Sequence, residues 1–187
     1  RRAAAATAAT IAVGDGSMIA PGQEITSSVI TREMSPVNHQ VIPASIRNRN
    51  PGAMEPGFAS KRWGSTSYET LRWTDKKTGK AHTNRIATFP TDRHGGAALF
   101  TLLAEGKHYR NKPIQDAIAT WCGGHSASEY IDHMERSTGV KRTSILTDER
   151  IRDPDIAVPI AMAIARFETG RVDLPLSEAD WREVHEM

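Results

Sequence analysis

The chain has 187 residues, of which 39% are hydrophobic and 25% charged, the ordinary balance of a globular protein with a buried core. Its formal net charge of +2 falls well short of the concentrated basic face of a nucleic-acid binder, although it suits an anionic polymer such as a bacterial cell wall without selecting one. The single cysteine, Cys122, excludes an internal disulfide, and no run of about 18 apolar residues offers a membrane-spanning helix.

Residues 1–43 open with "RRAAAATAATIAVGDG" and read as a linker or partly ordered N-terminal extension, with one strand or short helix expected between 23 and 43. The start lacks a methionine and lacks the leucine-rich core of a secretory leader, which suggests a piece of a longer or processed chain. A compact domain is expected over residues 44–187. Its first stretch, "ASIRNRNPGAMEPGFASKRWG", is too polar and too rich in Gly and Pro for a helix or core strand. It reads as a loop whose Asn48 and Asn50 fix turns through side-chain-to-backbone bonds.

Two β-compatible runs follow, one with Tyr68, Leu71 and Trp73, the other with Ile86, Thr88 and Phe89. The polar, Gly-containing "TDKKTGK" between them predicts a hairpin. The remainder reads as helices. Gly95 and Gly96 precede "AALFTLLAEGKHY", in which Leu99, Leu102 and Leu103 share a face. Pro113 suits the first turn of "PIQDAIATW". Ser126 and Glu129 form the pattern of a capping box for "ASEYIDHMERSTG", which Gly139 ends. Asp153 and Pro154 start the last long helix and Gly170 stops it, with Pro159 either kinking or restarting it. Residues 171–187 read as a polar tail with a short helix near Trp181.

The helix over 153–170 carries the sharpest chemical signal. From Ile156 to Phe167 only Arg166 is charged, so the helix is expected at the centre of a core. Glu168 follows Ile164 at i+4 and therefore falls on an apolar face. Burial and the negative end of the helix dipole both disfavour its ionised form. A carboxyl with a raised pKa is what a general acid needs near neutral pH. The plainer reading is a glutamate that reaches solvent or pairs with Arg166 or Arg171. Glu55, held between Pro51–Gly52 and Pro56–Gly57, is the second candidate acid, against an ordinary solvated turn. Arg47 and Arg49 are candidates to pair with either acid or to hold a carboxylate of a substrate. Glycosidic cleavage needs one proton donor and often a second carboxylate. Glu69, Asp75 and Asp92 are further candidates for the second role.

Other chemistries have weaker support. Seven histidines invite a metal site, but no HExxH or paired CxxC spacing is present. Cys122 with His125 has the residue types of a cysteine nucleophile within one short turn, an unusual placement for that class. "SKRW", "TDKKTGK" and "KHYRNK" either line a groove for an anionic glycan or form solvated faces. Trp63, Trp73, Tyr109, Trp121 and Tyr130 can stack on sugars, although most aromatic residues of a domain this size belong to its core.

"SIRNRNPGAMEPGFASKRWGS" resembles the opening motif of a phage virion-associated domain family, through Arg47, Asn48, Asn50, Pro51, Gly52, Met54, Glu55, Gly57, Phe58 and Ala59. "RIATFPTDRHGGAAL", the pair of helices around Trp121 and Tyr130, and "AIARFETG" follow in that family's order, so the resemblance covers about residues 45–170. Ala53 stands where asparagine is usual, Pro56 replaces an aromatic, and "CGGHSAS" replaces a segment that usually carries proline, glutamate and asparagine. "AIARFETG" is also similar to the glutamate-bearing helix of lysozymes and lytic transglycosylases. These resemblances imply a lysozyme-like α+β fold, mainly α with a small β-hairpin. They imply a peptidoglycan-degrading muramidase, Glu168 its general acid and Glu55 its partner or replacement. Arg47 and Asn50 would orient the loop or substrate and Tyr130 would stand at the cleft, with no cofactor. Peptidoglycan is the implied partner, with a cognate immunity protein and a virion or secretion machinery behind delivery to a target periplasm. The competing expectations are a non-enzymatic virion or wall-binding domain, and a peptidoglycan amidase or peptidase.

Overall fold

The computed structural model describes residues 42–74, 79–124 and 127–187. The extension expected before residue 42, the tip of the hairpin turn, His125 and the Ser126 cap all lie outside the described residues. Among the described residues the order is α1 (Ala44–Arg47), α2 (Phe58–Arg62), β1 (Ser67–Thr74), β2 (Ala81–Thr88), α3 (Asp92–Glu105), α4 (Ile114–Trp121), α5 (Ala127–Thr138), α6 (Asp148–Arg152), α7 (Pro154–Thr169) and α8 (Glu178–His185). No helix among them is long and apolar enough to cross a membrane.

The organising element is α7. The Asp153 carboxylate accepts from the Asp155 backbone N–H at 2.9 Å, Pro154 occupies the first turn, and Gly170 closes the helix at φ 65°. The helix runs through Pro159 unbroken. Every residue from Ala157 to Ala165 is buried except Pro159, so the middle of the helix lies in the core and only a stripe through Asp155, Pro159 and Arg166 meets solvent. α1, α3, α5, α6 and α8 all pack against it.

α3 starts three residues before Gly95, with the Thr91 hydroxyl accepting from the His94 backbone N–H at 3.3 Å. Gly95 and Gly96 therefore lie inside the helix rather than ahead of it, and the reason is close approach. A Cβ on Gly95 would lie 2.0 Å from the Arg49 carbonyl oxygen and 2.9 Å from Pro51 Cδ. One on Gly96 would lie 3.1 Å from Val184 and 3.2 Å from Trp181. The polar C-terminal tail is thus a packed element. α8, with Ser177 and Asp180 in a reciprocal cap, buries Trp181 and Val184 against α3.

β1 and β2 pair antiparallel, from Ser67 opposite Thr88 to Thr74 opposite Ala81, as an open two-stranded sheet. The loop before them docks on β2, with Ala87 N–H donating to the Met54 carbonyl at 2.9 Å and Phe89 N–H to the Asn48 carbonyl at 3.0 Å. The lysozyme-like α+β fold expected above is corrected here. The architecture is mainly helical, with a single open hairpin, and the glutamate-bearing helix comes late in the chain and at the core. The 44–64 stretch also departs from its expected irregular form. It closes two short helices, because Pro43 accepts from Ile46 and Arg47 and the Ser60 hydroxyl accepts from Gly57 N–H at 2.8 Å.

Gly95→Ala places a methyl group against a backbone carbonyl that cannot rotate away. It is expected to destabilise the fold by about 3 kcal/mol, as strong overpacking does. The shift in urea midpoint, with the slope unchanged, measures it.

Candidate functional site

The Arg-Asn loop uses its polar groups on the protein itself. Asn50 is 0% exposed. Its amide donates to the carbonyls of Met54 at 2.9 Å and Ala87 at 2.8 Å, and its Oδ1 accepts from Met54 N–H at 2.9 Å. Asn48 donates to the Ala44 carbonyl at 2.9 Å and to Glu69, and accepts from the Thr88 hydroxyl at 2.6 Å. Arg47 forms a two-pronged pair with Glu69 on β1, its Nε at 2.9 Å, and this pair holds the Glu69 carboxyl below the usual range. Arg49, in the left-handed region at φ 51°, donates to the Pro90 carbonyl. Each of these residues ties the loop to the hairpin or to the start of α3.

The loop also positions Trp121. A Cβ on Gly52 would lie 2.7 Å from the Trp121 ring, and the indole N–H donates to the Gly52 carbonyl at 3.1 Å. On another side Trp121 meets Tyr109 edge-on, with centroids 5.3 Å apart. Burial raises the Tyr109 phenol pKa, and the Glu55 charge adds to the rise. Glu55 itself is exposed and makes no hydrogen bond or ion pair among the described residues.

Glu168 occupies the last turn of α7 and is 7% exposed. The Tyr130 hydroxyl of α5 donates to its Oε1 at 3.0 Å. No hydrogen-bond partner reaches Oε2 among the described residues. Burial pushes the carboxyl from 4.5 up to about 8, against the opposing pull of Tyr130 and of the Trp121 indole. The carboxyl therefore holds its proton to higher pH than an ordinary glutamate does. Neither Arg166 nor Arg171 pairs with it: Arg166 Nε donates instead to the Val172 carbonyl at 3.4 Å. The backbone beside it is anchored, because the Ser45 hydroxyl donates to the Glu168 carbonyl at 3.3 Å. Tyr130 is fully buried, and its ring stacks on Phe167 with centroids 3.7 Å apart. Its own phenol pKa is pushed well up by burial and by Glu168.

Of the five residues singled out in the sequence, the fold brings Glu168 and Tyr130 into contact. It places Asn50 and Arg47 in the loop's internal bonding, and it leaves Glu55 at the surface beyond Tyr109 and Trp121. Tyr130 stands beneath the acid rather than at an open cleft. Trp121, Cys122 and Ser45 complete the surroundings of Glu168, and sequence reasoning had not assigned them there. A signal existed only for Trp121, at the end of an amphipathic helix. Burial raises the Cys122 thiol pKa, which suits a packed thiol more than a nucleophile. Among the described residues no group of three His, Cys, Asp or Glu side chains is placed to hold a metal.

No protein-family model matches the chain, and no curated protein shows significant similarity to it. The labels attached to the resemblance find no kinship to rest on. Hydrolase, glycosidase, lysozyme-like muramidase, cell-wall degradation, antibacterial effector and phage virion are accordingly withdrawn as an identity. Function then rests on the geometry of the site.

Asn50→Ala strips the partners from two carbonyls and one N–H in a dry position. It is expected to cost about 3 kcal/mol of stability, measured by chemical denaturation, whereas Arg47→Ala at the exposed pair is expected to cost about 1 kcal/mol or less. Glu168 gives a second test. Its folded pKa of about 8 exceeds 4.5, so its contribution to stability is complete below 4.5 and is lost as pH rises through about 8. Between pH 5.5 and 7.5 the unfolding free energy of the wild type is expected to fall by about 1.4 kcal/mol per pH unit more steeply than that of Glu168→Gln. Parallel slopes would mean that Glu168 is ionised in the folded protein.

Proposed function

We propose that the chain is a general-acid catalyst of glycosidic-bond cleavage in glycan strands of the peptidoglycan type, with Glu168 as the proton donor. The observation that carries this reading is the state of Glu168. It is buried, with its pKa raised to about 8, held by Tyr130 through one oxygen, and without a hydrogen-bond partner at the other among the described residues. A leaving alkoxide needs a proton, and a carboxyl of ordinary pKa would already have lost it. Glu55, exposed on the loop, is one carboxylate for the second role, and half-buried Asp92, whose pKa burial raises, is another.

A non-enzymatic structural or wall-binding domain is the second reading. The bonding of Asn48 and Asn50 favours it, because both side chains serve the loop's own architecture and have no free group for a substrate.

Purified peptidoglycan incubated with the wild type, Glu168→Gln and Glu55→Gln separates the readings, with products identified by mass spectrometry and folding checked by circular dichroism. The expected result is disaccharide fragments from the wild type and a loss of about a hundredfold or more in folded Glu168→Gln. The wild-type rate is expected to fall as pH rises through about 8, because the proton donor is then lost. Free stem peptides would replace glycan cleavage by amidase chemistry. No products at any pH from the folded wild type would leave the structural reading.

A further inference from the structure

Glu168 has two oxygens in unlike surroundings, and the difference comes from one residue. The Tyr130 hydroxyl lies 3.0 Å from Oε1 and also 3.4 Å from the Ile164 carbonyl one turn earlier on the same helix. Tyr130 has little freedom to move. It is fully buried, and its ring lies nearly parallel to Phe167, 15° between planes. On the far side of the carboxyl, Oε2 meets no hydrogen-bond partner among the described residues. Trp121, the nearby indole, already donates to the Gly52 carbonyl.

A protonated carboxyl has one carbonyl-type oxygen that accepts and one hydroxyl oxygen that donates. A phenol can donate or accept; its single proton has two acceptors in reach, and the carboxyl oxygen at 3.0 Å is nearer than the Ile164 carbonyl at 3.4 Å. We propose that Tyr130 is the positioning residue of Glu168: its hydroxyl claims Oε1 as the acceptor and thereby keeps the carboxyl proton on Oε2. This deepens the reading of Glu168 as proton donor and rests on it for its catalytic consequence. The orientation of the acid is a property of the folded protein whether or not glycan is the substrate. Among the described residues the groups that face Glu168 are Tyr130 from α5 and Trp121 and Cys122 at the end of α4. Cys122 is a neutral thiol and Trp121 does not titrate, so the Tyr130 bond is the one that a conservative change can remove.

Tyr130→Phe keeps the ring and its stacking on Phe167 and deletes only the hydroxyl. The carbonyl stretch of protonated Glu168 is followed by difference infrared spectroscopy during a pH titration, with Glu168→Gln used to assign the band. Loss of the donor is expected to raise the band frequency. It is also expected to raise the midpoint of its disappearance by about one pH unit, because the bond favours the ionised form more than the neutral one. On peptidoglycan the same variant is expected to lose about tenfold in kcat with KM little changed, and its alkaline limb is expected to move up in parallel. Should Tyr130→Phe fail to fold, biosynthetic replacement of the three tyrosines by 3-fluorotyrosine supplies a stronger donor, and the band midpoint is then expected to move down. An unmoved band and midpoint, in the folded Phe variant or the fluorinated protein, would overturn the assignment. A moved band in a protein that cleaves no glycan would uphold Tyr130 and remove the proposed reaction instead.

Discussion

A helix whose middle lies in the core has to be wrapped, and α7 sets that requirement for the whole domain. Its sixteen residues run from the Asp153 cap to Gly170, and five other helices pack against it. An ordinary amphipathic helix ends with its polar residues in water. α7 ends inside the protein, so Glu168 and Thr169 are buried with it. Thr169 satisfies itself by donating to the Ala165 carbonyl at 2.7 Å. Glu168 has one bond from Tyr130, and its pKa rises to about 8 because burying the charge without a cation is costly. The chemistry available at this position is a consequence of where the helix has to stop.

The second constraint is backbone approach. The Arg-Asn loop lies so close to α3 and α4 that Gly95 and Gly52 cannot carry side chains without displacing a carbonyl or an indole. Asn50 completes the junction by bonding to Met54 and Ala87, which joins the loop to β2 as if it were a third strand. Through Gly52 this junction holds Trp121, and Trp121 in turn is part of the wall around Glu168. The dense polar stretch over residues 44–64 thus acts at a distance from its own side chains. It helps to build a dry setting for a carboxyl that it does not touch, its bond to Glu168 being the one from the Ser45 hydroxyl to the backbone carbonyl. A setting of this kind is what preorganised proton transfer requires.

Much of the fold was legible in the sequence because the patterns are local. The hairpin follows from two β-compatible runs around a polar turn, and α7 follows from its apolar length, its Asp-Pro start and its Gly stop. The burial of Glu168 follows from its spacing behind Ile164. Other elements were hidden. α6 is five residues long, with one buried side chain, Ile151. α8 was expected as a short helix near Trp181 within a polar tail, and only its contact with Gly96 and Phe100 shows Trp181 and Val184 to be core. The lysozyme-like expectation transferred a short motif to a whole architecture, and a motif of eight residues constrains one helix end rather than the order of helices around it.

Periodicity and capping depend on neighbours within one turn, so the sequence by itself determined the central helix, the hairpin and a carboxyl on an otherwise apolar helix face. Tertiary structure alone decided the partners of that carboxyl. Tyr130, which bonds the carboxyl, lies 38 residues from Glu168, and Ser45, which bonds only the backbone carbonyl of Glu168, lies 123. Whether such groups meet depends on packing angles and close approaches, set by Gly52, Gly95 and the bonds of Asn50. No local pattern encodes those distances, because each is the joint result of several elements closing around α7.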